Sequence, residues 1–243
     1  MNDLRAFGLL IRWRGLQMKS VLPAAIAVQV MIGAGLVIGD GLLIPHLTRG
    51  TATFLATGGG TLALISVGLA LAPQFVAQAK LTGLHDYLES FPVPRLTHLF
   101  AGMGVSLVIS LPGLVIAMAF ASLRYGIEIH PNPMVLLALL IVTFSSTALG
   151  YAVGLSVKNP MAIALAGNLI LFFVMLFTPI TFPIDRLPTW LADVDRVLPF
   201  WYMGELMRDT LTSSGGVAKP MLATSLWALI GLLVCLRAGR RQA

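Results

Sequence analysis

The sequence predicts an all-α integral membrane protein with six transmembrane helices, an N-terminal amphipathic interfacial helix, and a re-entrant helical hairpin before the last span. The first observation is composition: 57% of the 243 residues are hydrophobic, only 11% are charged, and the mean hydropathy is +0.89. Soluble domains carry about 25% charged residues. The second observation is that apolar stretches extend along the whole chain. We therefore predict a single transmembrane domain over residues 1–243.

The spans follow from the gaps between charged residues. A transmembrane helix needs roughly 20 mostly apolar residues, because the hydrocarbon core of a bilayer is about 30 Å thick. Six gaps meet this requirement, and they predict spans at 21–44, 54–79, 97–122, 134–157, 161–178 and 220–236. These runs are too long for the strands of a membrane barrel, and they do not alternate polar with apolar residues.

Lysine and arginine predict the orientation. With six spans both termini lie on one side, which would carry Arg5, Arg12, Arg14, Lys19, Lys80, Arg95, Lys158, Arg237, Arg240 and Arg241. The other side would carry Arg49, Arg124, Arg186, Arg196, Arg208 and Lys219. The positive-inside rule places the richer side in the cytoplasm. We expect a multi-pass protein of the cell (plasma or inner) membrane with both termini cytoplasmic.

Residues 1–20 predict an amphipathic helix in the membrane interface. Apolar side chains cluster on one helical face: Leu4, Phe7, Leu10, Ile11 and Met18. Arg5, Arg12 and Lys19 follow at seven-residue steps on the opposite face. The pattern is imperfect, since Arg14 falls on the apolar face. An ordinary basic flank to the first span is the alternative.

Residues 80–96, called loop 80–96 below, form a long predicted cytoplasmic loop. Leu81, Leu84 and Leu88 share one helical stripe, and Pro92 and Pro94 would end the helix. A short, rigid, partly acidic helix is suited to docking another protein. A solvated loop helix without a partner is the alternative.

Residues 181–212, called the outer segment below, predict two short helices that dip into the outer leaflet without crossing it. Five apolar residues fit one side of a helix: Trp190, Leu191, Val194, Val197 and Leu198. Asp193 and Arg196 fall on the other side, and Pro188 suits the first turn. An aromatic run typical of a membrane surface follows, at Phe200, Trp201 and Tyr202.

These features occur in the order found in the permeases of the type 2 ATP-binding cassette (ABC) exporter family, which the whole chain resembles. The motifs are Gly-Leu-His-Asp-Tyr-Leu-Glu before Pro-Val-Pro-Arg in loop 80–96, and Leu-Pro-Thr-Trp-Leu through Leu-Pro-Phe-Trp-Tyr in the outer segment. This chain departs from the family at Leu198, where many relatives carry Asn before the proline. The resemblance implies that an ATPase-coupling helix comprises Thr82, Gly83, Leu84, His85, Asp86, Tyr87, Leu88 and Glu89. It also implies an outer gate or re-entrant segment that includes Pro183, Pro188, Trp190, Leu191, Pro199, Phe200, Trp201 and Glu205.

The resemblance further implies the partners. A working unit would contain two cytosolic ABC ATPase subunits and two permeases, the second being another copy or a homologous permease. ATP and Mg would bind through the ATPase, with no cofactor bound by this chain. Membrane lipids are expected neighbours. Nucleic acid is not, because the basic residues are few and scattered.

No catalytic residue is expected in this chain. A P-loop requires a Gly-Lys pair to cradle phosphates, and the sequence contains none. A zinc site is not expected, because His46, His85, His98 and His130 never occur at i, i+4 spacing. Ser156 lacks a histidine in a span interior that could activate it.

The predicted span interiors contain no ionisable residue, which argues against an ion-coupled carrier. Asp40, near the predicted outer end of span 1, would cap a helix or line an exit path. Small residues four apart predict close helix packing or a dimer face, at Gly35 with Gly39 and at Gly150 with Gly154. The run Gly58, Gly59 and Gly60 predicts close packing or a kink.

The expected activity is export of a hydrophobic or amphipathic compound, such as a drug, antibiotic or lipid-like molecule, by alternating access. Tyr151 and Trp227 are the only large amphipathic aromatics in the predicted spans, whereas sugar conduits favour aromatic linings. Export of a lipid-linked glycan is the alternative within the family. An ion-coupled secondary carrier and a non-transporting membrane scaffold are the alternatives of another class.

Overall fold

The computed structural model describes residues 22–43, 48–83 and 95–240, and regular structure within these ranges is helical, without a strand. In chain order the elements are α1 (Leu22–Leu43), α2 (Arg49–Ser66), a π-helical segment (Val67–Leu71), α3 (Ala72–Leu81), α4 (Arg95–Tyr125), α5 (Val135–Ser156), α6 (Pro160–Phe177), a 3-10 turn (Ile184–Arg186), α7 (Thr189–Val197), α8 (Pro199–Thr212) and α9 (Ala218–Arg240). The all-α prediction is confirmed.

Six helical stretches of the described ranges are long and apolar enough to cross a membrane. Span 1 is α1; span 2 joins α2, the π-helical segment and α3 over Arg49–Leu81; spans 3 to 6 are α4, α5, α6 and α9. Each coincides with one predicted span. Span 2 begins earlier than predicted because Thr48 caps it, with its Oγ1 accepting a 3.3 Å hydrogen bond from the Thr51 N–H.

Two predicted features lie outside the described residues: the amphipathic helix at 1–20 and most of loop 80–96. The side chain of Asp40, for which the sequence leaves a helix cap or an exit path open, is also not described. The two short helices expected in the outer segment are present as α7 and α8. Their re-entrant course stays a prediction.

Span 2 is the central helix of the bundle. In the most apolar 18-residue stretch of span 2, 89% of the residues are buried inside the protein. The corresponding shares for spans 1, 5 and 6 are 22%, 17% and 22%. The glycines of span 2 allow this burial. A Cβ on Gly59 would lie 3.0 Å from the carbonyl oxygen of Gly33 in span 1, and one on Gly60 would run into the Leu114 side chain in span 3. The packing role predicted for this run is confirmed.

The middle of span 2 is irregular. The π-helical segment ends at Leu71, two residues before Pro73, which has no N–H to donate to the carbonyl of Leu69. Span 5 packs on this point, since a Cβ on Gly167 would lie 2.7 Å from the Leu69 carbonyl oxygen. Span 4 packs there as well, because a Cβ on Gly150 would run into the carbonyl oxygen of Gly68.

The two predicted pairs of small residues differ in the structure. Gly150 and Gly154 both pack inside the chain, and a Cβ on Gly154 would lie 2.8 Å from the Cβ of Val76 in span 2. A Cβ on Gly35 or Gly39 would meet no atom within 4 Å among the described residues. A dimer face at Gly35 and Gly39 therefore stays a prediction.

Side-chain amides join spans 1 and 5 to span 2. Ser66 Oγ donates to Gln29 Oε1 at 2.8 Å, and Gln74 Nε2 donates to Asn168 Oδ1 at 3.5 Å. Polar groups buried among apolar helices stabilise the fold when they find partners in this way. These two hydrogen bonds therefore attach spans 1 and 5 to span 2.

Candidate functional site

The predicted coupling helix begins at an exposed turn directly after span 2. Thr82 ends α3, and its N–H and Oγ1 each donate a 3.0 Å hydrogen bond to the Gln78 carbonyl. Gly83 adopts φ +69, the left-handed conformation with which glycine ends many helices. The other residues of the predicted helix, Leu84, His85, Asp86, Tyr87, Leu88 and Glu89, lie outside the described residues.

Lys80 joins this end of span 2 to span 4. Its ammonium group donates to the carbonyl oxygens of Gly154 at 3.1 Å and Val157 at 2.9 Å. Helix α5 ends at Ser156, so carbonyls in its last turn lack partners within the helix. The positive charge also lies at the negative end of the helix dipole. The sequence predicted that Lys80 lies at the cytoplasmic end of span 2 but did not predict its contact with span 4.

The prolines of the outer segment start its helices. Pro183 immediately precedes the 3-10 turn, and Pro199 occupies the first turn of α8. Pro188 was expected in the first turn of α7 but lies at the N-cap. Its carbonyl accepts 3.0 Å hydrogen bonds from the N–H groups of Leu191 and Ala192. Each position suits proline, because none needs its backbone N–H in a helix.

The apolar side predicted for α7 is divided in the structure. Leu191 is buried, whereas Trp190, Val194 and Val197 are 67%, 43% and 68% exposed. The buried face of α7 instead consists of Leu191, Ala192 and Asp195. Trp190, Val194 and Val197 keep the spacing of one helical side, as predicted, but this side is not the face that contacts the bundle.

Asp195 is fully buried. Neither carboxylate oxygen has a hydrogen-bond donor within the part of the chain that the structure describes. Burial raises the pKa of Asp195, and the nearby Thr178 hydroxyl partly offsets that rise. By contrast, Asp193 forms a 2.9 Å ion pair with Arg196 on the exposed side of α7. The two acids of one short helix therefore occupy opposite environments.

The carbonyls that end α7 are bound by two aromatic side chains. Tyr202 Oη donates a 2.9 Å hydrogen bond to the Arg196 carbonyl, and Trp227 Nε1 of span 6 donates a 3.1 Å bond to the Val197 carbonyl. Trp201 packs on Tyr202 with 4.8 Å between ring centroids. The aromatic residues therefore fix the corner between α7 and α8.

Arg208 of α8 contacts two other parts of the bundle. Its Nη2 donates to the Ile180 carbonyl at 2.8 Å, and its Cζ lies 3.3 Å from the centroid of the Phe54 ring in span 2. Burial lowers the pKa of Arg208 to about 10, opposed by the charges of Glu205 and Asp209. Arg208 is therefore still charged at neutral pH.

Ile180 lies between α8 and span 2. It is fully buried, and a Cβ on Gly58 would run into its carbonyl oxygen. On the α8 side a Cβ on Gly204 would lie 3.3 Å from Ile180 Cγ2. Two glycines thus allow the chain after span 5 to fit between these helices.

Glu205 is half-buried on α8. Burial raises its pKa, the charge of Asp209 raises it further, and Arg208 and Lys219 oppose the shift. Phe200, in contrast, is part of the apolar core. The outer-segment residues predicted from sequence therefore divide among buried, half-buried and exposed positions and do not form one site.

A cavity of about 620 Å³ opens beside the outer segment, at the end of span 2 opposite loop 80–96. Its lining is Leu36, Thr48, Gly50, Thr51, Phe54, Leu55, Met175, Leu176, Thr181, Phe182 and Pro183. Small-molecule sites commonly enclose about 300–1,000 Å³ and combine apolar walls with a few polar groups. Of the predicted outer-gate residues, Pro183 lines this cavity.

A family model described as ABC-2 family transporter protein matches residues 42–238. The chain belongs to the ABC-2 transporter family. The match includes spans 2 to 6, loop 80–96 and the outer segment, whereas span 1 lies almost entirely before it. No curated protein matches the sequence. The family predicted by resemblance is confirmed.

Membership in the ABC-2 family identifies the chain as the membrane-spanning permease subunit of an ABC transporter. Such permeases are generally not themselves catalytic and usually work with an ABC ATPase. Two regions at opposite ends of span 2 are relevant to the work of such a permease. The turn at Thr82 and Gly83 begins the segment predicted to meet the ATPase, and the cavity lies at the other end of the same span.

Proposed function

We propose that this permease is an exporter subunit that moves a hydrophobic or amphipathic compound out of the cytoplasm or the inner leaflet by alternating access. ATP hydrolysis in a separate ATPase pair would supply the energy through loop 80–96. The observation that carries the proposal is the course of span 2. This span is the most buried of the six, and it leads directly into the exposed left-handed turn at Gly83.

The proposed working unit contains two permeases, either two copies of this chain or one copy with a homologous permease, and two cytosolic ABC ATPases. Both termini and loop 80–96 face the cytoplasm of a cell (plasma or inner) membrane, as the distribution of basic residues favours. ATP and Mg bind through the ATPase subunits. The predicted coupling residues, from Thr82 to Glu89, meet the ATPase surface.

The cavity beside the outer segment supports an amphipathic substrate. Its walls are mainly aliphatic and aromatic, and Thr48, Thr51 and Thr181 supply hydroxyl groups. Its aromatic members, Phe54 and Phe182, have no group that could form a hydrogen bond with the hydroxyls of a sugar. A drug-like or lipid-like compound therefore suits this lining better than a glycan. We place the exit of the transport path here.

The coupling assignment is tested by reconstituting the chain with a candidate cytosolic ABC ATPase in proteoliposomes. The wild type should copurify with the ATPase and support hydrolysis that substrate stimulates. Glu89→Arg and Gly83→Ala should lose stimulation, because the first reverses a charge in the coupling helix and the second strains its first turn.

Matched controls lie on the opposite side of the bundle. Gly126 has φ +62 and, like Gly83, has open space around it, so Gly126→Ala imposes the same backbone strain away from loop 80–96. Glu128 is exposed nearby, so Glu128→Arg makes the same charge reversal. If the controls lose as much stimulation as the loop variants, or no ATPase binds, the coupling assignment is wrong.

The direction of transport needs its own assay. Inside-out vesicles that contain the permease and its ATPase should accumulate a lipophilic fluorescent dye when ATP is supplied. Right-side-out vesicles with ATP outside should not, because their ATPase sites face the lumen. Uptake driven by a proton or sodium gradient without ATP would instead favour an ion-coupled carrier, and no uptake under any condition would favour a scaffold.

A further inference from the structure

Each end of span 2 is held by a charged side chain. At the end next to loop 80–96, Lys80 of span 2 binds span 4. At the other end, Arg208 of α8 packs on Phe54 of span 2. Cations are costly to bury in a membrane protein unless they find such partners. Lys80 and Arg208 therefore each join one end of the central span to a neighbouring helix.

The contact of Lys80 fastens span 2 to span 4. Its ammonium group donates to two backbone carbonyls where α5 ends, and no side-chain rearrangement in span 4 can remove those acceptors. Spans 2 and 4 also touch directly one turn before Lys80, because Gly154 of span 4 has no side chain that would hold Val76 of span 2 away. A displacement of the first residues of loop 80–96 would therefore move the ends of both spans.

The contact of Arg208 fastens span 2 to the outer segment. Its guanidinium group lies over the Phe54 ring and donates to the Ile180 carbonyl, so one side chain joins α8, span 2 and the chain after span 5. Gly58 brings the Ile180 backbone against span 2 one turn further on. A shift of the first turns of span 2 would therefore be passed to α8, and it would reshape the cavity that Phe54 lines.

The π-helical segment lies between the two ends of span 2 and interrupts its regular helix. Pro73 removes one helical hydrogen bond there, and an unsupported helix would bend at such a place. Here the segment is buried, and Gly150 and Gly167 let spans 4 and 5 lie directly against it. This packing allows the two regular parts of span 2 to move as one body.

We propose that Lys80 and Arg208 are positioning residues that attach the two ends of span 2 to span 4 and to the outer segment, so that movement of loop 80–96 reaches the outer segment. The inference rests on the proposed function, because it presupposes an ATPase that moves the loop. It adds the two residues that keep span 2 attached at both ends.

The test compares Lys80→Met and Arg208→Met in the complete transporter with ATPase bound, measuring substrate moved per ATP hydrolysed. Each variant should still bind the ATPase, yet transport per ATP should fall at least about five-fold, the lower range of typical coupling between sites. Lys80→Arg, which keeps a charged donor, should restore much of the loss. Because both residues serve one route, the double variant should be no worse than the worse single variant.

Two exposed cations serve as matched controls. Lys158→Met removes a lysine near the Lys80 acceptors, and Arg124→Met removes an arginine whose Cζ lies 5.9 Å from the Tyr125 ring. Both should keep wild-type transport per ATP. The proposal is overturned if Lys80→Met and Arg208→Met remain fully coupled, if the controls lose as much, or if the losses multiply in the double variant.

A distance measurement on the chain alone separates this proposal from the proposed function. Spin labels at Gln78→Cys and Ser156→Cys, both exposed, would report the ends of spans 2 and 4 in lipid nanodiscs, with Cys235→Ala removing the native thiol. The wild type should give one narrow distance distribution. Lys80→Met should broaden it, with Lys80→Gln as the second variant should the methionine variant not fold.

A distribution as narrow in both variants as in the wild type would show that Lys80 does not hold the two ends together, and would overturn the inference even if ATP-driven export is observed. Conversely, broadening in Lys80→Met without any ATP-driven transport by the wild type would overturn the proposed function and the transmission role with it. The contact between spans 2 and 4 would then be purely structural.

Discussion

The indole N–H of Trp227 donates a 3.1 Å hydrogen bond to the carbonyl oxygen of Val197, which joins span 6 to the last turn of α7. The exposed Trp190 provides the contrast, since it lies on the outward side of the same short helix. Trp227 therefore attaches α7 to span 6, whereas the Trp190 side chain is exposed.

Trp227→Phe should lower the free energy of unfolding by about 1 kcal/mol, because it removes this hydrogen bond and keeps most of the ring. Trp190→Phe is the matched control, and it should change stability by less than about 0.5 kcal/mol. Thermal unfolding in detergent, followed by fluorescence or by loss of monodisperse protein, would measure both. Equal effects of the two substitutions would mean that the bond to Val197 does not stabilise the fold.

Gly58→Ala should destabilise the bundle by about 1 to 3 kcal/mol, the usual range for overpacking. The added methyl group would meet the Ile180 carbonyl and would lie 2.8 Å from Thr181 Cα, so the chain after span 5 would have to shift. Gly35→Ala makes the same change in span 1, where no described atom lies within 4 Å, and should leave the chain's stability unchanged. A Gly58→Ala protein as stable as wild type would show that this close approach is not required.

The six spans could be predicted from sequence because each needs a long stretch free of charge, and such stretches are visible without any tertiary information. The limits of span 2 were less accurate, since the cap by Thr48 depends on a local hydrogen bond. The irregular π-helical segment of span 2 was also not predicted from the sequence. The run at Gly58 was considered for a kink, but the π-helical segment lies at Val67–Leu71, before Pro73.

The contacts of the charged residues could not be predicted in the same way. The acceptors of Lys80 are backbone carbonyls 74 and 77 residues away, and a carbonyl has no signature in a sequence. Likewise Asp193 and Asp195 are two acids in one short helix, and only the packing of α7 determines which one is buried. Side-chain type alone therefore does not identify the residues that join separate elements.

Asp195 should make the protein less stable as pH rises. Its folded-state pKa is raised above the ordinary 3.8, so folding favours the protonated acid. The stabilisation is fully present below the ordinary value and is lost as pH rises through the raised one. Asp195→Asn keeps the shape without the charge, so its melting temperature at neutral pH should exceed that of wild type and vary less between pH of about 4 and 8.

Asp193→Asn is the control for this pH dependence. Its carboxylate is exposed and paired with Arg196, and exposed ion pairs contribute about 0 to 1 kcal/mol. This variant should keep the wild-type pH profile with little change in melting temperature. If Asp195→Asn is instead less stable than wild type at neutral pH, the carboxylate is stabilised by an interaction that burial alone does not predict.

Thr181→Trp should block transport by filling the cavity beside the outer segment. Thr181 lines this cavity together with Phe54, Phe182 and Pro183, so an indole there would occupy space that a substrate needs on its way out. ATPase binding and basal hydrolysis should persist, because loop 80–96 lies at the other end of span 2. Thr181→Ser, which keeps the hydroxyl and removes one methyl group without filling the cavity, should transport normally.

Ser214→Trp adds the same indole at an exposed position after α8 and should leave dye transport unchanged. The measurement is ATP-dependent dye accumulation in inside-out vesicles, with each variant's melting temperature checked beforehand. Wild-type transport by a stable Thr181→Trp protein would exclude the cavity from the transport path. Export would then have to follow another route, with the surfaces of spans 1, 5 and 6 as the next candidates because they are the least buried of the six described spans.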